Sequence, residues 1–225
     1  KKFVEFLYQK DSGGNYSKNY LNDFDKRVKN IYLPKVDFLK TIVKKKISII
    51  DIGSGGGHFL KACEMKKILA EGYEPNKQLV KLGKKKLKKN QIYNLDMKST
   101  YNKVIESKAN TLSLIGVLEH LEQPNKIIKL FKKSNLKYLY ISVPLLSLST
   151  FIENSFKGIF PRQLSAGHTH LYTKESLYYL AKKNKLKVIG EWWFGTDFPD
   201  LHRSLINSST SDLKKYNPLL QKYLF

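Results

Sequence analysis

The stretch Ile47-Ser48-Ile49-Ile50-Asp51-Ile52-Gly53-Ser54-Gly55-Gly56-Gly57-His58 constrains this chain more than any other. A run so rich in isoleucine suits a strand covered on both faces, the pattern of parallel α/β sheets. It breaks into a glycine turn, and a helix is predicted over Phe59 to Lys66. Glycines at 53, 55 and 57 let the backbone turn sharply and let a ligand approach without meeting a Cβ. The first amides of the following helix are available to donate to such a ligand. The segment therefore reads as a cofactor cradle, against the plainer reading of a tight strand–helix turn.

The spacing narrows the choice of cofactor. A dinucleotide fingerprint needs Gly-x-Gly-x-x-Gly, which would put a third glycine at position 58, where the chain has His58. What is present is Asp51-x-Gly53-x-Gly55-x-Gly57, an acid two residues ahead of three alternating glycines. A second short strand, Ile68 to Gly72, delivers Glu74, which follows Gly53 by 21 residues. Nucleotide-binding α/β folds place a ribose-binding carboxylate at about that distance. Either feature alone has an ordinary structural explanation; coupled, they favour an adenosine ribose.

Asp51 to Gly57 resembles motif I of the class I S-adenosylmethionine-dependent methyltransferases, and two further segments fit the same template. Asn94-Leu95-Asp96-Met97 follows a third strand at Gln91 to Tyr93. Thr111-Leu112-Ser113-Leu114-Ile115-Gly116-Val117-Leu118-Glu119-His120-Leu121 is a fourth strand entering a loop. Its ending is similar to the Val-Leu-Glu-His-Leu signature of a large branch, many of whose members act on small molecules. Helix Pro124 to Lys133 and strand Tyr138 to Val143 complete the resemblance, which spans residues 47 to 144. It implies an α/β, Rossmann-like, doubly wound and mostly parallel sheet of six or seven strands with helices on both faces. It also implies S-adenosylmethionine as cofactor and S-adenosylhomocysteine as product. The implied cofactor residues are Asp51, Gly53, Ser54, Gly55 and Gly57 in the turn, Glu74 with Pro75 on the ribose, Asp96 and Met97 on the adenine, and Gly116 with Val117 after the fourth strand.

The remainder is divided around that core. Residues 1–45 are an aromatic-rich leader, with helices predicted over Tyr20 to Leu33 and Lys35 to Val43. Resembling enzymes use such a leader as a lid, which would set Tyr16 and Tyr20 over the methionine part and Arg27 near its carboxylate. Simple packing of these rings on the sheet edge is the competing reading. Residues 46–144 form the cofactor-binding core. Residues 145–173 form a long substrate loop after the fifth strand, on the side where open α/β sheets bind ligands. Residues 174–225 open with helix Lys174 to Lys183, for which Thr173 and Ser176 can form the cap. A sixth strand is predicted over Leu186 to Phe194, whereas a seventh is not legible in the residues beyond. All 225 residues fit a single domain.

Methyl transfer to oxygen needs a base behind the acceptor. His120 is the first candidate because it follows the fourth strand, and its other reading is a residue that holds the loop. His168 and His170, in Gly167-His168-Thr169-His170-Leu171-Tyr172-Thr173, are rivals for the role. One residue apart, they should point the same way in an extended segment. No cysteine or carboxylate cluster accompanies them in sequence, so no metal site is expected there. Arg162 and Tyr172 are the substrate-binding candidates of the loop.

Composition sets the outer bounds. Hydrophobic residues make up 41% and aromatics 12%, sufficient for a sizeable core. No apolar stretch approaches the ~18 residues of a membrane span. The lone Cys63 cannot form an internal disulfide, which suits a reducing, cytoplasmic setting. The net charge of +22 invites nucleic acid, but of 41 basic residues only Arg27, Arg162 and Arg203 are arginines. The densest run, Lys84 to Lys89, falls at a predicted helix end and reads as a solvated face. That charge suits an anionic small acceptor better than base readout. Motifs of exocyclic amino-group methylation are absent after the fourth strand, and Cys63 is misplaced for pyrimidine C5 chemistry. Surface-polysaccharide pathways hold enzymes of similar composition, so O-methylation of a sugar or nucleotide-linked metabolite is the leading expectation. RNA methylation and a catalytically silent cofactor-binding protein stand as alternatives, and the oligomeric state is left open.

Overall fold

The computed structural model describes residues 23–155 and 167–194. Their core is one sheet of five parallel strands: β1 (Ser48–Ile52), β2 (Leu69–Glu74), β3 (Gln91–Asn94), β4 (Thr111–Ile115) and β5 (Tyr138–Ser142), in the order β3-β2-β1-β4-β5. Alternate residues of a strand face opposite sides, and β1 is apolar on both. Ile49 enters a core shared with the N-terminal helices, while Ile50 and Ile52 enter the opposite core with Leu112 and Leu114. Helices α1 (Phe24–Arg27), α2 (Leu33–Ile42), α3 (His58–Met65) and α4 (Lys77–Lys86) cover one face. Helices α5 (Met97–Glu106), α6 (Pro124–Lys133) and α8 (Lys174–Lys183) pack on the other. Between β5 and α8 lies α7 (Leu148–Ser155), so the expected substrate loop carries a helix of its own. Strand order reverses between β1 and β4, the switch point outside whose carboxyl ends open α/β sheets bind ligands.

Local chemistry accounts for the boundaries. Asn76 accepts from the amides of Gln78 and Leu79 at 2.9 and 3.2 Å and starts α4. Thr173 and Ser176 form a reciprocal capping box on α8, as their spacing predicts. Pro34 does not split the leader into two helices. Lacking an N–H, it is absorbed by a π turn at Val28–Tyr32, and helix continues from α1 into α2. Tyr20 lies outside the described residues.

The expectation of six or seven strands is corrected to five among the described residues. Leu186 to Phe194 forms no strand. Gly190 packs against Ile42 of α2, the Trp192 ring lies 5.8 Å from Phe38, and the Lys35 amine sits 4.1 Å from the Phe194 ring centre. Its β-branched and aromatic residues thus drape over a helix; such composition marks a half-buried surface, which need not be a paired one. Among the described residues no helix is long and apolar enough to cross a membrane.

Candidate active site

The glycine turn leaves β1 in a conformation that side chains rarely adopt. Gly53, Gly55 and Gly57 have φ of 69°, 54° and 80°. Gly53 also lies against Val117, where an added Cβ would meet a methyl carbon at 2.5 Å. Gly55 differs: a Cβ there would meet nothing within 4 Å, so the bend keeps open space in front of it. On the β2 side of that space stands Glu74. Its Oε2 accepts from the Gly55 amide and its Oε1 from the Asn76 amide, each at 2.9 Å. Burial raises its pKa, and those two amides oppose the rise. The Gly55 amide, in the turn ahead of the helix, is therefore spent on orienting the carboxylate.

Asp51 and Ser54 face inward. Asp51 is 2% exposed, and its Oδ1 accepts from the Ser113 hydroxyl on β4 at 2.5 Å. The Ser54 hydroxyl donates to the Asp51 carbonyl and packs over Gly72. Both residues brace the turn from beneath. His58, which breaks the dinucleotide fingerprint, begins α3 with its ring stacked 4.2 Å from Phe24 and 5.4 Å from Tyr32. It ties the cradle to the N-terminal helices.

A second group lies at the end of β4. Gly116, with φ of 66°, is exposed and faces the Glu119 Oε1. Glu119 and His120 belong to a short 3-10 turn, Leu118–His120. Glu119 is 3% exposed, and burial pushes its carboxyl up to about 7. His120 Nδ1 is 3.2 Å from the Gly167 carbonyl. A carbonyl only accepts, so Nδ1 carries the proton and Nε2 the lone pair. That Nε2 faces Glu119 Oε1 at 4.0 Å, and the His168 ring centre is 4.6 Å from that of His120. Burial, with His168 adding, pushes His120 down to about 4 against the Gly167 hydrogen bond. His120, the first base candidate, is therefore neutral and only a weak base.

Comparison with known proteins agrees with the fold. A family model described as a methyltransferase domain matches residues 24–191. The chain belongs to that methyltransferase family. With the sheet and the cradle, membership makes it a class I S-adenosylmethionine-dependent methyltransferase. Among solved structures it is similar to an S-adenosylmethionine-dependent methyltransferase from Archaeoglobus fulgidus, at 20% identity and TM-score 0.53, over 68% of this chain and 66% of that one. Magnesium protoporphyrin IX methyltransferase from Synechocystis PCC 6803 is 15% identical with TM-score 0.50, over 81% of this chain and 83% of that one. The [4+2]-cyclase SpnF is 12% identical with TM-score 0.51, over 85% and 73%. At such identities these three share the fold alone. No curated protein matches the sequence.

The methyltransferase places its other predicted residues unevenly. Asp96 caps α5, accepting from the Ser99 amide at 2.8 Å and its hydroxyl at 2.9 Å, while Met97 packs against the second core. Val117 is buried against Gly53, and Pro75 follows Glu74 at the end of β2. His168 and His170 are drawn to different partners, contrary to their expected common direction. His170 lies parallel to Tyr172 and bonds the Thr169 hydroxyl, because Thr169 is itself pinned to the Glu119 and Leu121 carbonyls. Tyr172, expected at the substrate, is buried and donates to the Leu118 carbonyl; its role is packing. Residues 167–172 thus strap the fourth-strand loop in place. Tyr16 and Arg162, like Tyr20, lie outside the described residues. Glu119 is the residue that sequence reasoning passed over. Its signal was an acid set among Val117, Leu118 and Leu121, which forces burial.

Buried Asp51 has a measurable signature. Burial first, then the charge of Glu74, raise its carboxyl to about 7 against the Ser113 hydrogen bond. The folded state then holds a proton that the unfolded chain, with a pKa near 3.9, releases. Its contribution to stability is full below about pH 4 and lost as pH rises through about 7. Asp51→Asn keeps an acceptor for Ser113 without that loss. Urea unfolding should therefore show the variant gaining on the parent between pH 5 and pH 8. A constant or shrinking difference would contradict the buried, protonated carboxyl.

Proposed function

We propose that this methyltransferase acts on an oxygen of a small acceptor, with a sugar or a nucleotide-linked, phosphorylated metabolite of surface-polysaccharide synthesis as the narrower candidate. The observation that carries the reading is the Glu119, His120 and His168 group, whose Glu119 carboxylate faces Gly116 just after β4. S-adenosylmethionine, when bound, supplies an electrophilic methyl group on a positively charged sulfur and leaves as S-adenosylhomocysteine.

The chain's own residues do the remainder. Glu74, preset by the Gly55 and Asn76 amides, is the carboxylate for the ribose diol. Gly53 and Gly55 keep side chains out of the space beside it, and Met97 offers an apolar surface to the base. Gly116 leaves room between this pocket and the acceptor side. There the Glu119, His120 and His168 group meets the acceptor hydroxyl and takes charge of its proton. An amine that is already neutral would need no such group, whereas a hydroxyl does. The net charge of +22 raises encounter rates for an anionic acceptor.

The test is incubation with isotopically labelled donor and a fractionated metabolite pool, followed by mass spectrometry of labelled products. Label should enter an oxygen of a small molecule, and His168→Ala should slow transfer about a hundredfold, the usual scale of proton-handling residues. Label confined to RNA, with affinity falling steeply as salt rises, would replace this reading by the RNA one. No transfer into any fraction would leave a cofactor-binding protein without this activity.

A further inference from the structure

The geometry points to a divalent transition-metal site formed by Glu119, His120 and His168, one ligand atom from each. Those atoms lie within 4.8 Å of one another. Bonds from zinc to imidazole nitrogen or carboxylate oxygen are about 2.0–2.2 Å, so neighbouring ligands of a tetrahedral ion stand about 3.4 Å apart. Closing the set onto an ion thus requires each side chain to move by under about 1 Å.

Three features favour a cation here. First, Glu119 Oε2 is sealed from solvent and, among the described residues, receives no hydrogen bond. A buried carboxylate oxygen in that state is costly unless something positive faces it. Second, His120 presents its Nε2 lone pair toward the Glu119 carboxylate at 4.0 Å, so two acceptors confront each other. A proton on the carboxyl would need a shorter separation to bridge them; an ion with bonds of about 2 Å would not. Third, His120 gives its other ring N–H to the Gly167 carbonyl at 3.2 Å. Metal-ligating histidines do this almost always, because the bond fixes the tautomer and aims the ligand nitrogen.

The sequence did not show this set because its members come from two segments, with Glu119 and His120 after β4 and His168 on the strap. Thr169 closes the distance by bonding the Glu119 carbonyl through its amide at 2.8 Å and its hydroxyl at 3.1 Å. Two imidazoles and one carboxylate suit zinc and its first-row neighbours and leave a position for an outside ligand. The part-exposed His168 marks the solvent side of the set. The ion's role rests on the methyl transfer proposed above, although its binding does not. With an ion bound, these three residues would act on the proton through it and not accept it themselves: an acceptor hydroxyl in the open position would become more acidic and release its proton to solvent. The carbon–oxygen bond then forms as the methyl–sulfur bond breaks, the electron pair remaining on sulfur.

The probe is Co²⁺, whose visible absorption reports coordination by nitrogen and oxygen. The full chain, stripped with chelator, should bind one equivalent. Glu119→Gln and His168→Ala should each weaken binding tenfold or more, and His170→Ala should leave it unchanged. Zn²⁺ should displace Co²⁺ and bleach the bands. Absence of a stoichiometric complex, retention of full affinity in His168→Ala, or an equal loss in His170→Ala would each overturn the assignment. Should Glu119→Gln fold poorly by circular dichroism, His168→Ala decides alone, since its side chain sits on the partly exposed strap. Calorimetry with S-adenosylhomocysteine on the same samples separates the two readings. Co²⁺ binding without cofactor binding keeps the metal site and removes methyl transfer; cofactor binding without Co²⁺ does the reverse.

Discussion

Glu74→Ala should weaken S-adenosylhomocysteine binding by between ten- and about a hundredfold in calorimetry. A hydrogen bond to a charged group contributes roughly 1.5–3 kcal/mol, and each 1.4 kcal/mol is a factor of about ten. Truncation also leaves the Gly55 and Asn76 amides without their acceptor, so the bend itself loosens. Glu74→Gln separates the two effects. It keeps a carbonyl oxygen for one amide and removes the charge, so the part of the loss it reproduces belongs to the carboxylate. Unchanged affinity in both variants would remove Glu74 from the cofactor site.

Gly72→Ala should be the most destabilising of the simple glycine replacements. Its Cβ would lie 2.2 Å from the Ser54 hydroxyl oxygen and 2.6 Å from a Leu60 methyl carbon. Relief by backbone movement is blocked, because Gly72 pairs with Asp51 on one side and Ile92 on the other. Overpacking typically costs 1–3 kcal/mol; with both neighbours fixed, about 3 kcal/mol is expected. For a domain of this size that lowers Tm by about 6–12 °C. A fall of less than about 2 °C would show that the cradle floor yields more than its packing implies.

Motif spacing conveyed the cofactor half of the site because that half is local. Strand, glycine bend and helix are consecutive, and Glu74 comes from the neighbouring parallel strand at a separation set by one helix. The parallel sheet follows from the same alternation, whereas its order β3-β2-β1-β4-β5 is set by packing. What escaped was decided by contacts between distant segments. The Leu186 to Phe194 run has strand-like composition, yet α2 offers it a surface and no strand is paired to it among the described residues. Asp96 has the acid expected after β3, but its oxygens are taken by Ser99. Glu119 was quoted as part of a signature without a role, since its burial depends on the strap carrying Thr169 some 50 residues later. His120 shows the same limit: its position was legible, whereas its lowered pKa arises from three-dimensional burial.

Lys35 carries a consequence for how the chain is made. Its amine, pushed down to about 8 by burial, donates to the Ser142 hydroxyl at 2.9 Å and lies beneath Phe194, while Ile42 on the same helix receives Gly190. During synthesis α2 emerges ahead of the sheet, and Gly190 to Phe194, which cover part of this face, are translated after all five described strands. Until then Ile42 lacks its contact with Gly190, and Phe38 has Tyr140 but not Trp192 beside it. Closure of this flank is accordingly a late event in biogenesis, and holdase chaperones would find their footing there.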